Sequence, residues 1–131
     1  MAIPRQFHTQ QAHYIRANVA YNTTNIATGV NVGAIPAGSR ILDIGVYIDT
    51  AFNAATTNVL TVGTAAGGNQ IATTSDTAST ATGFKRVTTG NALAQFAADT
   101  QVWVTYTQTG TAATAGAATI AITYLPNNDV F

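Results

Sequence analysis

Between Arg40 and Thr50 the chain reads RILDIGVYIDT. Leu42, Ile44, Val46 and Ile48 fall on one side of a two-residue period, with Asp43, Gly45, Tyr47 and Asp49 on the other. An extended strand sends alternate side chains to opposite faces, so this run predicts a strand with one buried face. The same period recurs elsewhere. Residues His13–Asn22 alternate Ile15, Ala17, Val19 and Tyr21 against Tyr14, Arg16, Asn18 and Ala20. Val102, Val104 and Tyr106 share a face, as do Ile120, Ile122 and Tyr124, which predicts two antiparallel strands joined by the Gly- and Ala-rich GTAATAGA. Shorter strands are expected in Asn25–Gly33, in Asn58–Thr64 and in FKRVTTG from Phe84.

Helix formers other than Ala are scarce, and Thr and Gly interrupt every stretch. IPAG (Ile35–Gly38) predicts a turn, with Pro36 setting φ at the first corner and Gly38 relieving strain at the end. AAGGNQ predicts another, and TTSDTASTATG (Thr73–Gly83) reads as an exposed loop. NALAQFAADT (Asn91–Thr100) fits either a helical turn or two or an edge strand. The pattern is all-β, with about eight short antiparallel strands in a sandwich or a closed barrel. An N-terminal arm (residues 1–12), a β domain (13–126) and a C-terminal tail (127–131) are expected, the ends carrying apolar anchors.

Only 8% of the 131 residues are charged, against roughly 25% in ordinary soluble domains. Five cations balance five aspartates, and no glutamate is present. Nucleic-acid binding needs a basic patch to displace counterions from phosphates. Here only Lys85 and Arg86 are adjacent, so no nucleic-acid partner is expected. A surface with so little charge repulsion suits a chain covered by neighbours in an assembly. The absence of cysteine excludes disulfides and thiolate metal sites. No apolar run approaches the ~18–20 residues of a membrane span, and no secretory leader is expected.

The residues that carry chemistry are few. Asp43 and Asp49 share a strand face six residues apart, about 20 Å at a rise of ~3.3 Å per residue. Paired glycosidase carboxylates need roughly 5–9.5 Å, so these two are read as solvated side chains. His8 and His13 lack an HxH or HExxH spacing, so no metal site and no cofactor are expected. Ser39, Ser75 and Ser79 lie in turn or loop sequence without a G-x-S-x-G elbow. GTAAGG (Gly63–Gly68) lacks the Lys-Ser/Thr of a phosphate loop and reads as a turn. Trp103 is the only tryptophan, and it shares a face with Thr105 and Thr107. It is a candidate sugar platform or interface anchor, or else packs beneath a loop.

The segment NIATGVNVGAIPAGSRILDIGVYIDTAFNAATTNVLTVGT (Asn25–Thr64) resembles a recurring segment in structural proteins of tailed bacteriophages. The closing VWVTYTQTGTAATAGAATIAITYLP is similar to the last hairpin of such proteins. In size and composition the chain resembles the small capsid decoration, or cement, proteins of short-tailed phages. That resemblance implies a jelly-roll-like β-sandwich without enzymatic activity. It implies binding to the exterior of an HK97-type shell, at two-fold or three-fold positions, where the protein bridges neighbouring capsomers. The implied partners are the major capsid protein and the chain itself, and the implied location is the virion exterior after synthesis in the host cytoplasm. An isologous dimer is the expected assembly, with a trimer the other arrangement. Ile3, Pro4, Arg5, Phe7 and His8 in the arm, and Val130 and Phe131 in the tail, are the candidate capsid or subunit contacts.

Two other functions fit parts of the sequence. A host-recognition module of a tail or head fibre would bind glycans, stacking sugars on Trp103, Tyr47 and Tyr106. A small β-sandwich hydrolase would need Asp and His to converge in one cleft, and the scarcity of Glu, Cys and His argues against it.

Overall fold

Strands β1 (His13–Ala20), β2 (Val30–Ile35), β3 (Arg40–Thr50), β4 (Thr57–Gly63), β5 (Gly83–Arg86), β6 (Thr100–Thr109) and β7 (Ala117–Leu125) alternate strictly between two antiparallel sheets. The computed structural model describes residues 11–88 and 96–127. One sheet has the order β1-β7-β3-β5 and the other β2-β6-β4. Each connection therefore crosses from one sheet to the other, which is the winding of a jelly roll. An eight-stranded jelly roll would place one more strand beside β4. Ile71 and Ala72 occupy that position, joined to Val62 by a single antiparallel bridge. Seven strands plus this bridge account for the expected eight.

The inner faces supply the core. Ile44, Val46, Ile48, Ile120 and Ile122 of the larger sheet meet Ile35, Leu60, Val62, Val102, Val104 and Tyr106 of the smaller one, all buried. Cross-strand register pairs these side chains face by face, Ile44 with Ile122 and Val46 with Ile120. Phe52 and Tyr106 close one end of the core with ring centroids 4.5 Å apart.

The alternation in β3 is interrupted where the sequence pattern reads straight through. Ile41 pairs with Tyr124 and Asp43 with Thr123, so Leu42 is an extra residue with no partner on β7. A bulge of this kind flips the side-chain period. Ile41 is consequently buried at 6% exposure and Leu42 stands out at 53%, the reverse of the expected placement of Leu42 in the core face. A second shift lies between Ile48 and Thr50, leaving Asp49 extra and on the outer surface.

Three further segments differ from expectation. Asn25–Gly29 is a turn, with Asn25 in the left-handed region at φ 65°, and β2 begins only at Val30. The low-complexity stretch after Thr73 is folded, not an open loop. Thr73 caps the short helix α1 (Thr74–Thr77): its backbone N–H donates to Asp76 Oδ2 at 2.9 Å, and the Asp76 N–H donates back to Thr73 Oγ1. This capping box lets Thr77 and Ser79 bury. The Thr77 hydroxyl donates to the Leu60 carbonyl at 2.9 Å and Ser79 Oγ donates to the Asn58 carbonyl at 3.1 Å. Of NALAQFAADT, Asn91–Gln95 lie outside the described residues, and Phe96–Asp99 are neither helix nor strand.

The IPAG turn forms as predicted in place, with a shift of one in role. Ser39 N–H donates to the Pro36 carbonyl, which puts Gly38 at the third position with φ 80°. Asp99 accepts the Ala37 N–H at 2.8 Å, tying this turn to the start of β6.

Candidate functional site

The outer face of the four-stranded sheet is an exposed surface built from all four of its strands. Strand β7 presents small residues there, Ala117, Thr119, Ala121 and Thr123, until Leu125 at its end. The flanking strands carry larger ones. Tyr14, Arg16 and Asn18 come from β1, Asp43, Tyr47 and Asp49 from β3, and Phe84 and Arg86 from β5. Small residues between tall ones leave a trough of about 340 Å³, lined by Arg16, Tyr47, Asp49, Thr119 and Ala121.

Tyr47 lines one side of the trough, and Phe84 packs against it from β5. Tyr47 and Phe84 are cross-strand neighbours with ring centroids 4.7 Å apart and planes tilted by 38°. The Phe84 ring lies directly on Gly45, where a Cβ would come within 2.5 Å of Cε1. Glycine in the middle of a strand here makes room for a ring, the usual reason for such a residue. Both rings remain about half exposed, at 45% and 47%.

The floor and far wall are polar. The Thr119 hydroxyl lies 2.9 Å from both Asn18 Oδ1 and Asp49 Oδ2. It has one proton and serves one acceptor at a time, so the other acceptor is open to an incoming donor. Arg16 lines the same trough and forms no ion pair with Asp49. Asp43 has a different partner, Arg86, whose Nε is 3.0 Å from Oδ1. The two carboxylates thus serve separate local contacts, in keeping with the expectation that they do not act together.

The expected stacking residues are dispersed. Tyr47 is in the trough. Trp103 is half-buried on the opposite sheet, on β6 between Asn31 of β2 and Gly63 of β4. Its strand neighbour Thr105 is buried beneath the loop after β4, whose Gly67 N–H donates to the Thr105 hydroxyl at 3.0 Å. Tyr106 points into the core at 2% exposure and is available to no ligand. Phe84, Arg16 and Thr119 were not among the expected site residues. Gly45 within the β3 pattern was the available sign that a ring packs there.

Chemistry beyond binding has little to draw on. Among the described residues no group of three or more His, Cys, Asp or Glu comes together. His13 packs its ring 5.9 Å from Tyr124, and Ser39 is fully buried at the IPAG turn. No helix among the described residues is long and apolar enough to cross a membrane. The expected contacts Ile3, Pro4, Arg5, Phe7, His8, Val130 and Phe131 lie outside the described residues.

Strand order and core define the molecule as a jelly-roll β-sandwich with one aromatic-walled outer face. The sequence matches no family model, and no curated protein matches it. In fold it is similar to chains of solved phage capsids. It aligns over 96% of its length with 92% of a chain in the cyanophage Pam1 capsid asymmetric unit, at TM-score 0.69 and 22% identity. It aligns over 93% with 94% of a chain in the acid-stable capsid of Helicobacter pylori bacteriophage KHP30, at 0.68 and 12%. A chain in the capsid of Ralstonia phage GP4 matches over 97% of this chain and 92% of that one, at 0.64 and 18%. At these identities the likeness is one of fold.

Proposed function

We propose that this chain is a structural protein of a phage virion, one that binds the outside of an assembled capsid and bridges neighbouring capsomers. The observation that carries the proposal is the end-to-end likeness to chains in three phage capsids. More than nine-tenths of each chain is covered in both directions, so the matched chains are of about this size. A small, whole sandwich in such company supports an accessory role beside a larger shell-forming subunit. The 8% charge content suits a surface partly covered by neighbours.

The physical mechanism is mass action. A protein that binds the assembled shell and not its separated subunits stabilises the shell by RT ln(1 + [L]/Kd) per site. Repetition over symmetry-related positions lets weak single contacts add up. The arm residues Ile3, Pro4, Arg5, Phe7 and His8 and the tail residues Val130 and Phe131 are proposed as contacts to the major capsid protein or to a second copy.

Quantitative mass spectrometry of purified virions tests the role. Hundreds of copies per particle, in a simple ratio to the major capsid protein, are expected. A handful would move the chain to a tail or fibre, and none would overturn the virion role. Deleting residues 1–11 should weaken shell binding while leaving the melting transition in place, and unchanged binding would remove the arm from the mechanism.

A second function is favoured by one specific observation, the Tyr47–Phe84 wall facing Asp49, Asn18 and Arg16. Aromatic faces with nearby hydrogen-bonding groups suit carbohydrate. A fibre-type glycan binder would show saturable carbohydrate binding that is lost in Tyr47→Ala and in Phe84→Ala. Binding lost in Trp103→Ala alone would place that site on the opposite sheet.

A further inference from the structure

An exposed sheet edge offers unpaired N–H and C=O groups to any other strand, and proteins blunt such edges by shortening, bulging or covering them. The two sheets have four edges, and three are blunted. β5 has only four residues. β2 is bulged between Asn31 and Gly33, with the Asn31 side chain accepting the Gly33 N–H. β4 is covered at Val62 by Ile71 and Ala72, and its Leu60 carbonyl accepts from Thr77. Among the described residues β1 is closed only at its end, where the Ala20 N–H donates to Thr23 Oγ1 at 2.8 Å and the Ala20 carbonyl accepts the Thr23 N–H at 3.1 Å. It runs eight residues in unbroken register with β7, contains neither Pro nor Lys, and is the outermost strand of its sheet. It also carries Tyr14, which at 71% is the most exposed large apolar side chain described.

We propose that β1 is a self-pairing edge, on which a second copy of this chain docks antiparallel about a two-fold axis at Ala17. A two-fold normal to the sheet keeps each face on its own side, so residues pair with partners of the same parity. Two centres engage most of β1. Centring on Arg16 sets two guanidiniums directly opposite, which is unfavourable. Centring on Ala17 pairs Ile15 with Val19 of the second copy and Arg16 with Asn18, and it sets the Tyr14 side chain beside Ala20, whose backbone groups stay with Thr23. Apolar side chains then meet on the core-facing side, and Tyr14 gains a small residue to cover. The result is a continuous eight-stranded sheet across the dimer. This interface is independent of shell binding, because it forms in solution between isolated chains.

The chain has no cysteine, so an introduced thiol is unique. Ala17→Cys, and separately the double variant Arg16→Cys with Asn18→Cys, are oxidised in dilute solution. Hydrogen-bonded and non-hydrogen-bonded pairs alternate along an antiparallel ladder, so one of these two sites brings its Cβ atoms to the closest approach. A covalent dimer is expected from at least one, and not from Thr57→Cys on the edge of the other sheet. Sedimentation equilibrium supplies the second test. Asn18→Arg should weaken dimerisation about tenfold by facing Arg16 with a like charge. Adding Arg16→Asp should restore it by converting the clash into an ion pair. Both positions are exposed, so the fold survives either change. A wild-type chain that sediments as a monomer at high micromolar concentration would overturn the proposal. So would equal cross-linking from Thr57→Cys, or an Asn18→Arg variant that dimerises as the wild type does.

Discussion

The Tyr106 hydroxyl donates to Asn58 Oδ1 at 2.6 Å, from inside the core to the edge of the β3–β4 loop. The same amide oxygen accepts the Ala54 N–H at 2.9 Å, and the amide nitrogen donates to the Ala54 carbonyl at 3.0 Å. One side chain thus satisfies a buried phenol and holds the loop that carries Phe52 against the ring. Asn58→Ala leaves the hydroxyl and the Ala54 groups short of partners. A loss of ~1–3 kcal/mol is expected from chemical denaturation, larger than for Tyr106→Phe, which removes donor and demand together.

Tyr106 also makes stability depend on alkaline pH. Burial pushes its phenol above the ordinary value of 10.0. The folded state therefore keeps its proton where the unfolded state loses it. The contribution is fully present below about pH 10 and is lost as pH rises through the folded value. Melting temperatures measured from pH 9 to 11 should fall more steeply for the wild type than for Tyr106→Phe. Parallel curves would remove Tyr106 as the source.

Gly116 is fixed by both space and conformation. Its φ is 150°, and a Cβ there would sit 2.4 Å from Phe52 Cδ2. Gly116→Ala must displace the Phe52 ring or the backbone that leads into β7. A destabilisation of ~1–3 kcal/mol is expected. Gly67→Ala is the comparison, since φ 77° is strained for alanine while no atom lies within 4 Å of the added methyl. It should cost less.

The Thr73 cap predicts a local effect. Thr73→Ala removes the hydroxyl that accepts from Asp76 and frees the carboxylate of its hydroxyl donor. About 1 kcal/mol is expected. Hydrogen exchange should quicken at Thr77 and Ala78, whose N–H groups donate into this turn, with little change at the β7 strand.

By contrast, the Arg86–Asp43 pair is open to water, with side chains 62% and 40% exposed. Asp43→Asn should alter the melting temperature little, an effect within ~0.5 kcal/mol that salt diminishes further. A large loss would mean that the outer face is shielded in a way the isolated chain does not show.

Most strands were legible because their inner faces alternate cleanly, as in Val102–Tyr106 and Ile120–Tyr124. What the period does not carry is register. Nothing local distinguishes Leu42 from Ile41, and only pairing with Thr123 and Tyr124 decides which becomes the bulge. The same limit misled the reading of Tyr106. Alternation put it on a face with Val102 and Val104, which are core residues, while its aromatic character suggested a platform. The low-complexity stretch failed for another reason. Thr and Ser look like loop residues by composition, yet Thr73-x-x-Asp76 is a capping signature, and hydroxyls bury readily when a carbonyl awaits them. The trough was hidden because its residues come from three strands spread between Arg16 and Ala121, and only sheet order brings them together.

The alternation of strands between sheets has a consequence for synthesis. Among the described strands β1 pairs only with β7, with His13 opposite Tyr124 and Ala20 opposite Ala117. β3 likewise lacks one of its two neighbours until β7 inserts. The larger sheet has an empty central place for almost the whole time the chain is being made. Strand β1 waits for β7, which follows it by almost a hundred residues. Pairings so distant along the chain close slowly. Closure of the larger sheet therefore waits for the insertion of β7 between β1 and β3.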